Sequence, residues 1–586
     1  MQKWFLQAKR ADFNGIGAKF HIDPVLARII RNRDIIEEKD IENYLYGTKE
    51  GLFSPKLLKD MDKAVKMVTE GIKQQKRIRI ISDYDVDGVI SNYVLLKGLK
   101  RLGAQVDYQI PDRMKDGYGL NKNIIKKAKE DGIDMILTCD NGIAATEEIK
   151  YGKELGLTIV VTDHHDVLFE ETEEGKNYIL PEADAIVNPK QADCTYPTKT
   201  LCGAAVAYKL MEALYSQFQI EAKELHELLE YVAIATVCDV VDLLGENRII
   251  VKEGLKRLQS TKNLGLQKLI LANHLENKKL TSYHLGFVIG PCLNACGRLE
   301  SAELGLKLLL EEDEKEAEQL AQEITSLNAE RKDMTKKGVE QAIRFLETKG
   351  EKEHTVLVVY LPECHESLAG IIAGRLREYY YKPVFVITKA KEGLKGSGRS
   401  IEGYHMFEEL CECKELLEKF GGHPMAAGLS LKEENLQPFI EKINRVSTLT
   451  EEDLIEKVLI DVPMPIDYIT EDLIESMSLL EPFGKANPKP VFAEKGLKLL
   501  FARILGEQRN VLKLQVENAA RVKMEAMFFG DIEAWESYIK EKYGENVLQG
   551  LYEGKNTNVE LDVTYYPDIN EYNGQRKIQI IIQNYR

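Results

Sequence analysis

The order of apolar and polar residues predicts alternating strands and helices between about residues 77 and 165. A β-branched run at 77–81 leads into Asp83, and apolar positions at helical spacing follow over 88–102. The same order then repeats, with strands predicted at 106–110, 135–139 and 158–161 and a helix at 123–130. Alternation of this length is typical of a parallel sheet covered by helices.

The remainder of the chain shows three further patterns. After about residue 245 the pattern is helical, and one highly charged stretch carries apolar residues at helical spacing, which predicts a long helix suited to separate two lobes: Leu320, Ile324, Leu327, Val339, Ile343 and Leu346. A second α/β unit begins at 355–359 and runs to about 445. Strand-like runs at 511–516 and 577–582 predict a small, closed or half-closed β-barrel.

The length of 586 residues exceeds what one hydrophobic core supports, since single cores stop growing at about 250–300 residues. We therefore expect a multidomain α/β protein, in which a lobe with a parallel sheet is joined by a long helix to a smaller α/β lobe and a terminal barrel. The boundaries predicted from the pattern are a helical segment at 1–60, the first lobe at 61–245, a helical region at 246–350, the second lobe at 351–450 and the barrel at 455–586.

Composition and charge describe an ordinary globular protein, with 44% hydrophobic and 30% charged residues. Lys and Arg number 79 against 95 Asp and Glu, a net charge of −16, which excludes a uniformly basic nucleic-acid binder but not a basic groove or a cation-binding acidic cluster. The nine cysteines lack zinc-site spacing and indicate a reducing compartment. With no secretory leader, no apolar run of about 20 residues and no heptad seam, we expect a cytoplasmic monomer with no membrane contact.

Acidic and imidazole side chains follow three successive predicted strands. Asp83, Asp85 and Asp87 follow the first, Asp140 follows the second, and 163–165 (Asp-His-His) follow the third. One such Asp is more often a helix cap or turn residue than a ligand. The carboxyl ends of parallel strands meet at one edge of the sheet, so the three clusters together indicate a shared site.

The chemistry of such a site is that of hard divalent cations. Several neighbouring carboxylates cannot all stay ionised and unpaired at neutral pH, so they shift their pKa values or bind cations. Aspartate oxygens with a few imidazoles suit Mn²⁺ or Mg²⁺ better than a thiolate zinc site does. Two such ions would activate water and neutralise a phosphoryl oxygen, which is the two-metal route to phosphoester hydrolysis.

Four ordered segments resemble the motifs of the DHH phosphoesterase superfamily: DYDVDG at 83–88, CDNG at 139–142, TDHH at 162–165 and TVCDVVD at 236–242. Length, motif order and downstream segments are most similar to its RecJ family, bacterial exonucleases that degrade single-stranded DNA from 5′ to 3′. The resemblance runs from about residue 50 to the last residues. It implies a DHH lobe, a DHHA1 substrate-binding lobe and an OB-fold barrel.

The resemblance implies two bound Mn²⁺ or Mg²⁺ ions and assigns their ligands: Asp85, Asp87, Asp140, His164 and Asp239. Asp83 is either a further ligand or a hydrogen-bond acceptor beside the ligands, and Asp242 is either a partner of Asp239 or a cap. Other superfamily members carry a histidine where Ile81 stands, so the ligand set of the first motif is open. Catalytic roles fall to His164, to His165 facing the scissile phosphate, and to Asp163 orienting both imidazoles.

Two glycine-rich segments, GSGRS at 396–400 and GGHPMAAG at 421–428, resemble the DHHA1 domain. They imply substrate contacts, which glycine permits by close backbone approach, from Ser397, Arg399, Gly421, Gly422 and His423. Two segments, 111–119 with Arg113 and 294–298 with Arg298, resemble RecJ segments that lie near the 5′ end of bound DNA. We expect Arg113, Arg298 and Arg399 to hold the terminal phosphate, with a surface ion pair as the alternative for each. Cys292 and residues 365–370 depart from the usual family pattern. These differences lie outside the metal motifs, so they affect the expected DNA contacts more than the expected hydrolysis.

The expected function is a metal-dependent exonuclease that degrades single-stranded DNA to mononucleotides during recombination and repair. The alternatives are a DHH–DHHA1 phosphodiesterase acting on oligoribonucleotides or cyclic dinucleotides, and an inactive replication scaffold. The resemblance suggests a single-strand-binding protein and a RecQ-type helicase as partners. In the barrel, Phe528 and Phe529 either stack on bases or belong to the core, and at least one must be core.

Overall fold

The structure is a computed structural model that describes residues 2–113, 115–117, 119–172, 175–506, 509–572 and 574–586. It divides into two compact units. The larger unit contains residues 52–241 and 249–456, and the smaller unit contains residues 2–51, 242–248 and 457–586. The chain therefore begins in the smaller unit, whose first elements are β1 (Gln2–Leu6), α1 (Phe13–Phe20), α2 (Pro24–Asn32) and α3 (Glu38–Tyr46).

The first lobe of the larger unit is a parallel sheet covered by helices, as the sequence predicts. Its five strands lie in the order β3–β2–β4–β5–β8, and all neighbours run parallel. The strands and helices of this lobe are α4 (Met61–Lys73), β2 (Arg77–Ser82), α5 (Val86–Arg101), β3 (Gln105–Gln109), α6 (Lys122–Glu130), β4 (Met135–Cys139), α7 (Thr146–Glu154), β5 (Thr158–Thr162), β6 (Leu168–Thr172), β7 (Gly175–Ile179), β8 (Ala185–Val187), α8 (Gly203–Gln217), α9 (Ala222–His226) and α10 (Leu229–Cys238). The sequence pattern did not predict the exposed antiparallel hairpin of β6 and β7.

A helical region follows, as predicted. Its helices are α11 (Gly245–Leu258), α12 (Leu264–Ala272), α13 (Ser282–His284), α14 (Gly290–Leu299), α15 (Glu303–Leu310) and α16 (Glu314–Lys349), with a π-helical turn at Leu285–Ile289 joining α13 to α14. The long helix α16 spans 36 residues. Its buried positions include the small residues Ala317, Ala321, Gly338 and Ala342, which let the helix approach its neighbours closely.

The second lobe of the larger unit is a smaller mixed sheet. Its strands lie in the order β12–β13–β11–β10–β9, with only the β9–β10 pair parallel. The elements are β9 (Leu357–Tyr360), α17 (Ala369–Tyr380), β10 (Val384–Lys389), β11 (Leu394–Arg399), α18 (Met406–Cys411), β12 (Lys419–His423), β13 (Ala426–Leu431) and α19 (Leu436–Val446).

The last part of the chain forms the predicted barrel. Strands β16, β17, β18, β20 and β19 pair in that order, and a β16–β19 pairing closes the ring. Its elements are β14 (Glu456–Ile460), β15 (Val462–Pro463), α20 (Glu471–Ser476), β16 (Phe492–Leu505), β17 (Val511–Glu517), β18 (Lys523–Phe528), α21 (Ile532–Tyr543), α22 (Glu545–Tyr552), β19 (Glu560–Tyr572) and β20 (Gln575–Tyr585). Phe528 is 7% exposed and belongs to the core, whereas Phe529 is 60% exposed.

The segment before residue 51 shares its hydrophobic core with this barrel. Leu26 and Ile29 of α2 belong to the same buried cluster as Phe492, Trp535 and Tyr565. The sequence pattern predicts a separate helical segment at residues 1–60. Periodicity shows that a helix has an apolar face but not which part of the chain packs against that face. Within the residues that the structure describes, no helix combines the length and apolar character needed to cross a bilayer.

Candidate active site

The strand-end acids of the first lobe do lie at one edge of the sheet. Ser82 pairs with Cys139, and Cys139 pairs with Thr162, so the three strands end in register. The next residue of each strand is therefore an acid at the same rim: Asp83, Asp140 and Asp163. Convergence of these side chains follows directly from parallel pairing.

His164 lies at the centre of the cluster. Its Nε2 is 3.0 Å from Asp140 Oδ1 and 3.7 Å from Asp87 Oδ2, and its Nδ1 is 3.7 Å from Asp239 Oδ2. Asp239 comes from a different element, the C-terminus of α10. Ligand atoms of Asp83, Asp85 and Asp140 form a second group within 4.8 Å of one another. The structure thus brings together all six residues predicted as ligands.

Helix N-termini position two of the carboxylates. Asp87 accepts hydrogen bonds from the first backbone N–H groups of α8, with Gly203 N at 2.6 Å and Ala204 N at 2.8 Å. Asp85 caps α5 by accepting from Gly88 N at 3.1 Å. Both contacts place negative charge at the positive end of a helix dipole. Gly203 and Ala204 thus contribute backbone N–H groups to the site. In the sequence, the only signal for this role would be a helix predicted to begin at these residues.

Asp140 has a strained backbone and a tightly packed neighbour. Its φ of 59° lies in the left-handed region, which non-glycine residues seldom adopt. A Cβ added to Gly203 would lie 2.6 Å from Asp140 Cβ, so only glycine fits at the start of α8. This packing fixes the position of the Asp140 carboxylate.

The electrostatics of the cluster favour a bound cation. Burial and the charge of neighbouring carboxylates raise the pKa of Asp83 and of Asp239, each to about 8, and they raise the pKa of Asp140 well above its usual range. Asp83 Oδ1 is buried without a hydrogen-bond partner, and His164 Nε2 makes no hydrogen bond of suitable geometry although Asp140 Oδ1 lies 3.0 Å away. Oxygen-rich ligands with one imidazole, unpaired lone pairs and mutual repulsion fit hard divalent cations such as Mn²⁺ and Mg²⁺.

The two histidines differ in charge, and Asp163 causes part of the difference. Asp163 Oδ1 accepts from His164 N, from His165 N and from His165 Nδ1 at 2.8 Å, and its Oδ2 accepts from Ile143 N. Burial alone would lower the pKa of His165. The hydrogen bond between His165 Nδ1 and Asp163 outweighs that effect and raises the pKa to about 9. Burial and the charge of His165 lower the pKa of His164 to about 3. These shifts favour a neutral His164, the form in which an imidazole can bind a metal, and a cationic His165. The side chain of His165 is 40% exposed.

The three predicted phosphate-binding arginines lie close enough to repel one another. Burial and then the charges of Arg113, Arg331 and Arg399 lower the pKa of Arg298 to about 10. The Arg113 guanidinium stacks on the ring of Tyr84, 4.9 Å from its centroid. Met114 and Tyr118, which belong to the same predicted segment, lie outside the described residues. The structure brings these arginines together beside the first acidic motif, since Asp85 also acts on Arg298.

The second-lobe residues divide between two strands. Ser397 and Arg399 lie on β11, where Arg399 Nη1 donates to Ser397 Oγ at 3.2 Å. Gly421, Gly422 and His423 lie on β12 and are exposed. Burial would raise the pKa of Asp166, but Lys190 and the charge of His423 lower it below its usual value. Because Asp166 follows His165 directly, β12 lies close to the first-lobe histidines.

The departures from the usual family pattern have structural roles. Cys292 is buried and accepts from Asn328 Nδ2 at 3.3 Å. Ser367, in the divergent segment 365–370, accepts from Arg298 Nη1 through its carbonyl at 2.6 Å and donates its hydroxyl to Arg298 O at 3.1 Å. Sequence reasoning missed this support for Arg298. Asp242 lies 3.6 Å from Lys485 Nζ, which accounts for it as an ion-pair partner.

Family models match three parts of the chain. They are described as "DHH family, N-terminal domain" (residues 77–236), "DHHA1 domain" (353–448) and "RecJ OB domain" (460–584). The single-stranded-DNA-specific exonuclease RecJ of Bacillus subtilis strain 168 is 37% identical over 99% of this chain and 70% of its own length. That of Escherichia coli K12 is 33% identical over 96% of each. The chain belongs to the RecJ family.

Solved RecJ structures have the same architecture. RecJ from Thermus thermophilus in complex with Mn²⁺ matches 100% of this chain and 79% of its own, with a TM-score of 0.81 and 26% identity. A RecJ bound to manganese matches 68% of this chain and 96% of its own, with a TM-score of 0.58 and 32% identity. The DHH lobe, DHHA1 lobe and OB-fold barrel expected from the sequence are confirmed.

Proposed function

We propose that this protein hydrolyses single-stranded DNA from its 5′ end to mononucleotides, using Mn²⁺ or Mg²⁺. The observation that carries the proposal is the buried cluster around His164, in which carboxylates from three segments have raised pKa values and buried acceptor atoms lack partners. A RecJ-type relative and a RecJ-type fold support the same activity.

The metal ligands we propose are Asp83, Asp85, Asp87, Asp140, His164 and Asp239. Two divalent cations held by these residues would lower the pKa of a bound water and neutralise charge on the phosphoryl oxygens. The N-terminus of α8 holds Asp87, and Asp163 holds both histidine backbones, so the ligands are positioned before substrate binds. Such preorganisation lowers the cost of reaching the transition state.

His165 is proposed to donate a hydrogen bond from a ring N–H group to the scissile phosphate. Its raised pKa keeps it cationic at neutral pH, and its partly exposed ring leaves it accessible to substrate. Asp163 stabilises that charge and fixes the ring through Nδ1, so Nε2 is the nitrogen that we propose for the contact with phosphate. A cation fixed in this way stabilises negative charge that develops in the transition state.

Arg113, Arg298 and Arg399 are proposed to bind the 5′-terminal phosphate, with Ser397, Gly421, Gly422 and His423 lining the same cleft. Guanidinium groups that repel one another gain by binding a dianion, and Arg binds phosphate oxygens bidentately. The charge of Asp85 acts on Arg298, which supports a terminal phosphate bound beside the proposed metal ligands. A terminal phosphate bound there would place the first phosphodiester bonds of the strand near the proposed metal ligands.

The finer biological setting is also proposed. Nine free cysteines fit a reducing cytoplasm, and the family resemblance supports a single-strand-binding protein and a RecQ-type helicase as partners of a monomeric enzyme. The boundaries predicted from the sequence for the five domains are retained as predictions.

The test uses long single-stranded DNA labelled at either end, with Mn²⁺ or Mg²⁺. Immediate release of the 5′ label as a mononucleotide, with gradual shortening of the 3′-labelled strand, is expected. Asp140→Ala and His164→Ala should abolish turnover, while Asp242→Ala, at the carboxylate that pairs with Lys485, should retain it. Preference for a dinucleotide or cyclic dinucleotide would select a phosphodiesterase, and binding without turnover would select a scaffold.

A further inference from the structure

The larger unit contains a cavity of about 720 Å³ that none of the proposed active-site residues line. Its walls come from α5, α9, α10 and α11, from the segment that leads into α12 and from the segment between α15 and α16. Cavities of about 300–1,000 Å³ are of the size that holds cofactor-sized molecules. Five cationic side chains from these elements line it: Lys97, Lys100, Lys223, Arg257 and Lys262.

These five cations are not neutralised by acidic partners. Within the part of the chain that the structure describes, none of them forms an ion pair with a carboxylate. Arg257 Nε is also buried without a hydrogen-bond partner. Asn263 and Leu264 bring the N-terminus of α12, the positive end of its dipole, to the same cavity. Together these features favour an anionic ligand.

A hydrogen-bonded network fixes the most buried part of the cavity lining. Lys97 Nζ donates to the Tyr93 hydroxyl at 3.0 Å, and that hydroxyl donates to the Tyr231 hydroxyl at 3.2 Å. Both tyrosines are 2% exposed, and Lys97 Nζ lies 5.4 and 5.8 Å from their ring centroids. Glu230 accepts from Thr261 Oγ1 at 2.8 Å. The charged end of Lys97 is therefore held in place before a ligand binds.

The cavity is separate from the proposed metal centre, although the two share α5 and α10. Along α5, Lys97 comes ten residues after Asp87, an axial distance of about 15 Å at 1.5 Å per residue. Along α10, Tyr231 comes eight residues before Asp239, an axial distance of about 12 Å. A ligand in the cavity would contact the far ends of both helices and not the proposed metal ligands.

Acidic side chains that also line the cavity restrict the kind of anion. Glu227 and Glu312 are exposed, and Glu311 is half-buried. These carboxylates would repel a polyanionic DNA strand, whereas a small ligand with one phosphate can lie among the cations. Carboxylates accept hydrogen bonds from amino groups, which adenine, guanine and cytosine carry. A nucleotide with one phosphate and an amino-bearing base matches both kinds of lining group.

We propose that this cavity binds a nucleoside 5′-monophosphate whose base carries an amino group. Lys97, Arg257 and Lys262 hold the phosphate, which an arginine binds bidentately, and the carboxylates accept from the base. The choice of ligand rests on the proposed function, because mononucleotides are the product that this function releases. The site itself rests on the cavity, and it is distinct from the proposed site for the 5′-terminal phosphate of DNA.

The test is calorimetric titration of the full, Mn²⁺-loaded chain with dAMP. Two binding sites are expected, of which Arg399→Ala should weaken the one at the proposed 5′-phosphate site. Arg257→Gln/Lys262→Gln should raise Kd at the other at least about tenfold, because each charged hydrogen bond that is lost costs about that factor. Inorganic phosphate should bind the cavity at least about tenfold more weakly than dAMP does.

Two further variants separate ligand binding from general damage. Lys256→Gln, at an exposed lysine of α11 that pairs with Glu253 outside the cavity, should keep both dAMP sites. If Arg257→Gln/Lys262→Gln fails to fold, Lys97→Gln/Lys262→Gln changes two exposed lysines and should cause the same loss.

Identical dAMP isotherms in the original protein and in the folded cavity variants overturn this inference, and so does phosphate that binds the cavity as tightly as dAMP. Cavity variants that bind single-stranded DNA more weakly but keep both dAMP sites would overturn it in favour of a strand-binding surface. A protein that degrades no single-stranded DNA, yet loses one dAMP site in the cavity variants, overturns the proposed function and leaves this site standing.

Discussion

A substitution at Gly203 would move the proposed metal ligands without replacing any of them. It begins α8, its N–H donates to Asp87 Oδ2 at 2.6 Å, and its Cα faces Asp140. In a Gly203→Ala variant the new Cβ would lie 2.6 Å from Asp140 Cβ and 2.9 Å from Asp140 Cα. Carbon atoms pack favourably at about 3.5–4.0 Å, so the helix start or the Asp140 backbone must shift by about 1 Å.

Either movement disturbs the carboxylate cluster. Shifting α8 withdraws two hydrogen bonds from Asp87, and shifting Asp140 moves its carboxylate away from His164. Loss of such support costs about 10- to 100-fold in metal affinity. Overpacking itself costs about 1–3 kcal/mol of stability. The variant should therefore fold with a lower Tm and need about 10- to 100-fold more Mn²⁺ for half-maximal activity.

The assay is a Mn²⁺ titration of exonuclease activity together with thermal denaturation. Gly305→Ala is the matched control, because its new Cβ meets Leu293 Cδ2 at an ordinary 3.6 Å inside α15. That variant should keep the metal dependence of the original protein and gain up to about 1 kcal/mol of stability. An unchanged Mn²⁺ requirement in Gly203→Ala, with a lowered Tm, would show that this packing serves the fold and not the metal centre.

Three further predictions concern charge and hydrogen bonding. Asp140→Asn removes a buried carboxyl whose ionisation its neighbours oppose, so calorimetry should show the metal-free variant melting roughly 2–4 °C higher and gaining less from Mn²⁺ than the original protein does. Burial raises the pKa of Glu230. Between its unfolded-state pKa of about 4.3 and its higher folded-state pKa, the folded state binds more protons than the unfolded state, so stability falls as pH rises through that window. Glu230→Gln should remove that slope and raise stability at neutral pH, as measured by denaturation at several pH values. Arg248 donates to the carbonyls of Tyr44, Leu479, Leu480 and Pro482, so Arg248→Met should destabilise the barrel unit by about 3 kcal/mol in urea, since buried acceptors lose their donor.

The strand-end acids were predictable because two simple periodicities determine them. Alternating β and α segments fix a parallel sheet, and a parallel sheet brings the residue after each strand to one edge. Asp83, Asp140 and His164 meet for that reason. Asp239 depended on the family resemblance, since nothing in local periodicity shows which strand end the C-terminus of α10 faces.

Other contributors could not be found from residue types. Gly203 and Ala204 act through backbone N–H groups, which every residue except proline has, so their identity carries no chemical signal. Ser367 holds Arg298 across 69 positions of sequence, and that distance is set by tertiary packing alone. The cavity lined by Lys97, Arg257 and Lys262 depends on how helices distant in sequence pack together, which helical periodicity does not show.

The discontinuous smaller unit sets an order of events during synthesis. Leu26 and Ile29 pack with residues of the barrel, and Arg33 pairs with Asp461 in the same interior. At about 5–20 residues per second, roughly 20–90 s pass between emergence of the first helices and emergence of Asp461, the first of these partners. The nascent chain must keep an apolar helix unpaired while the catalytic unit is made. The barrel unit can therefore complete its fold only after the catalytic unit has left the ribosome.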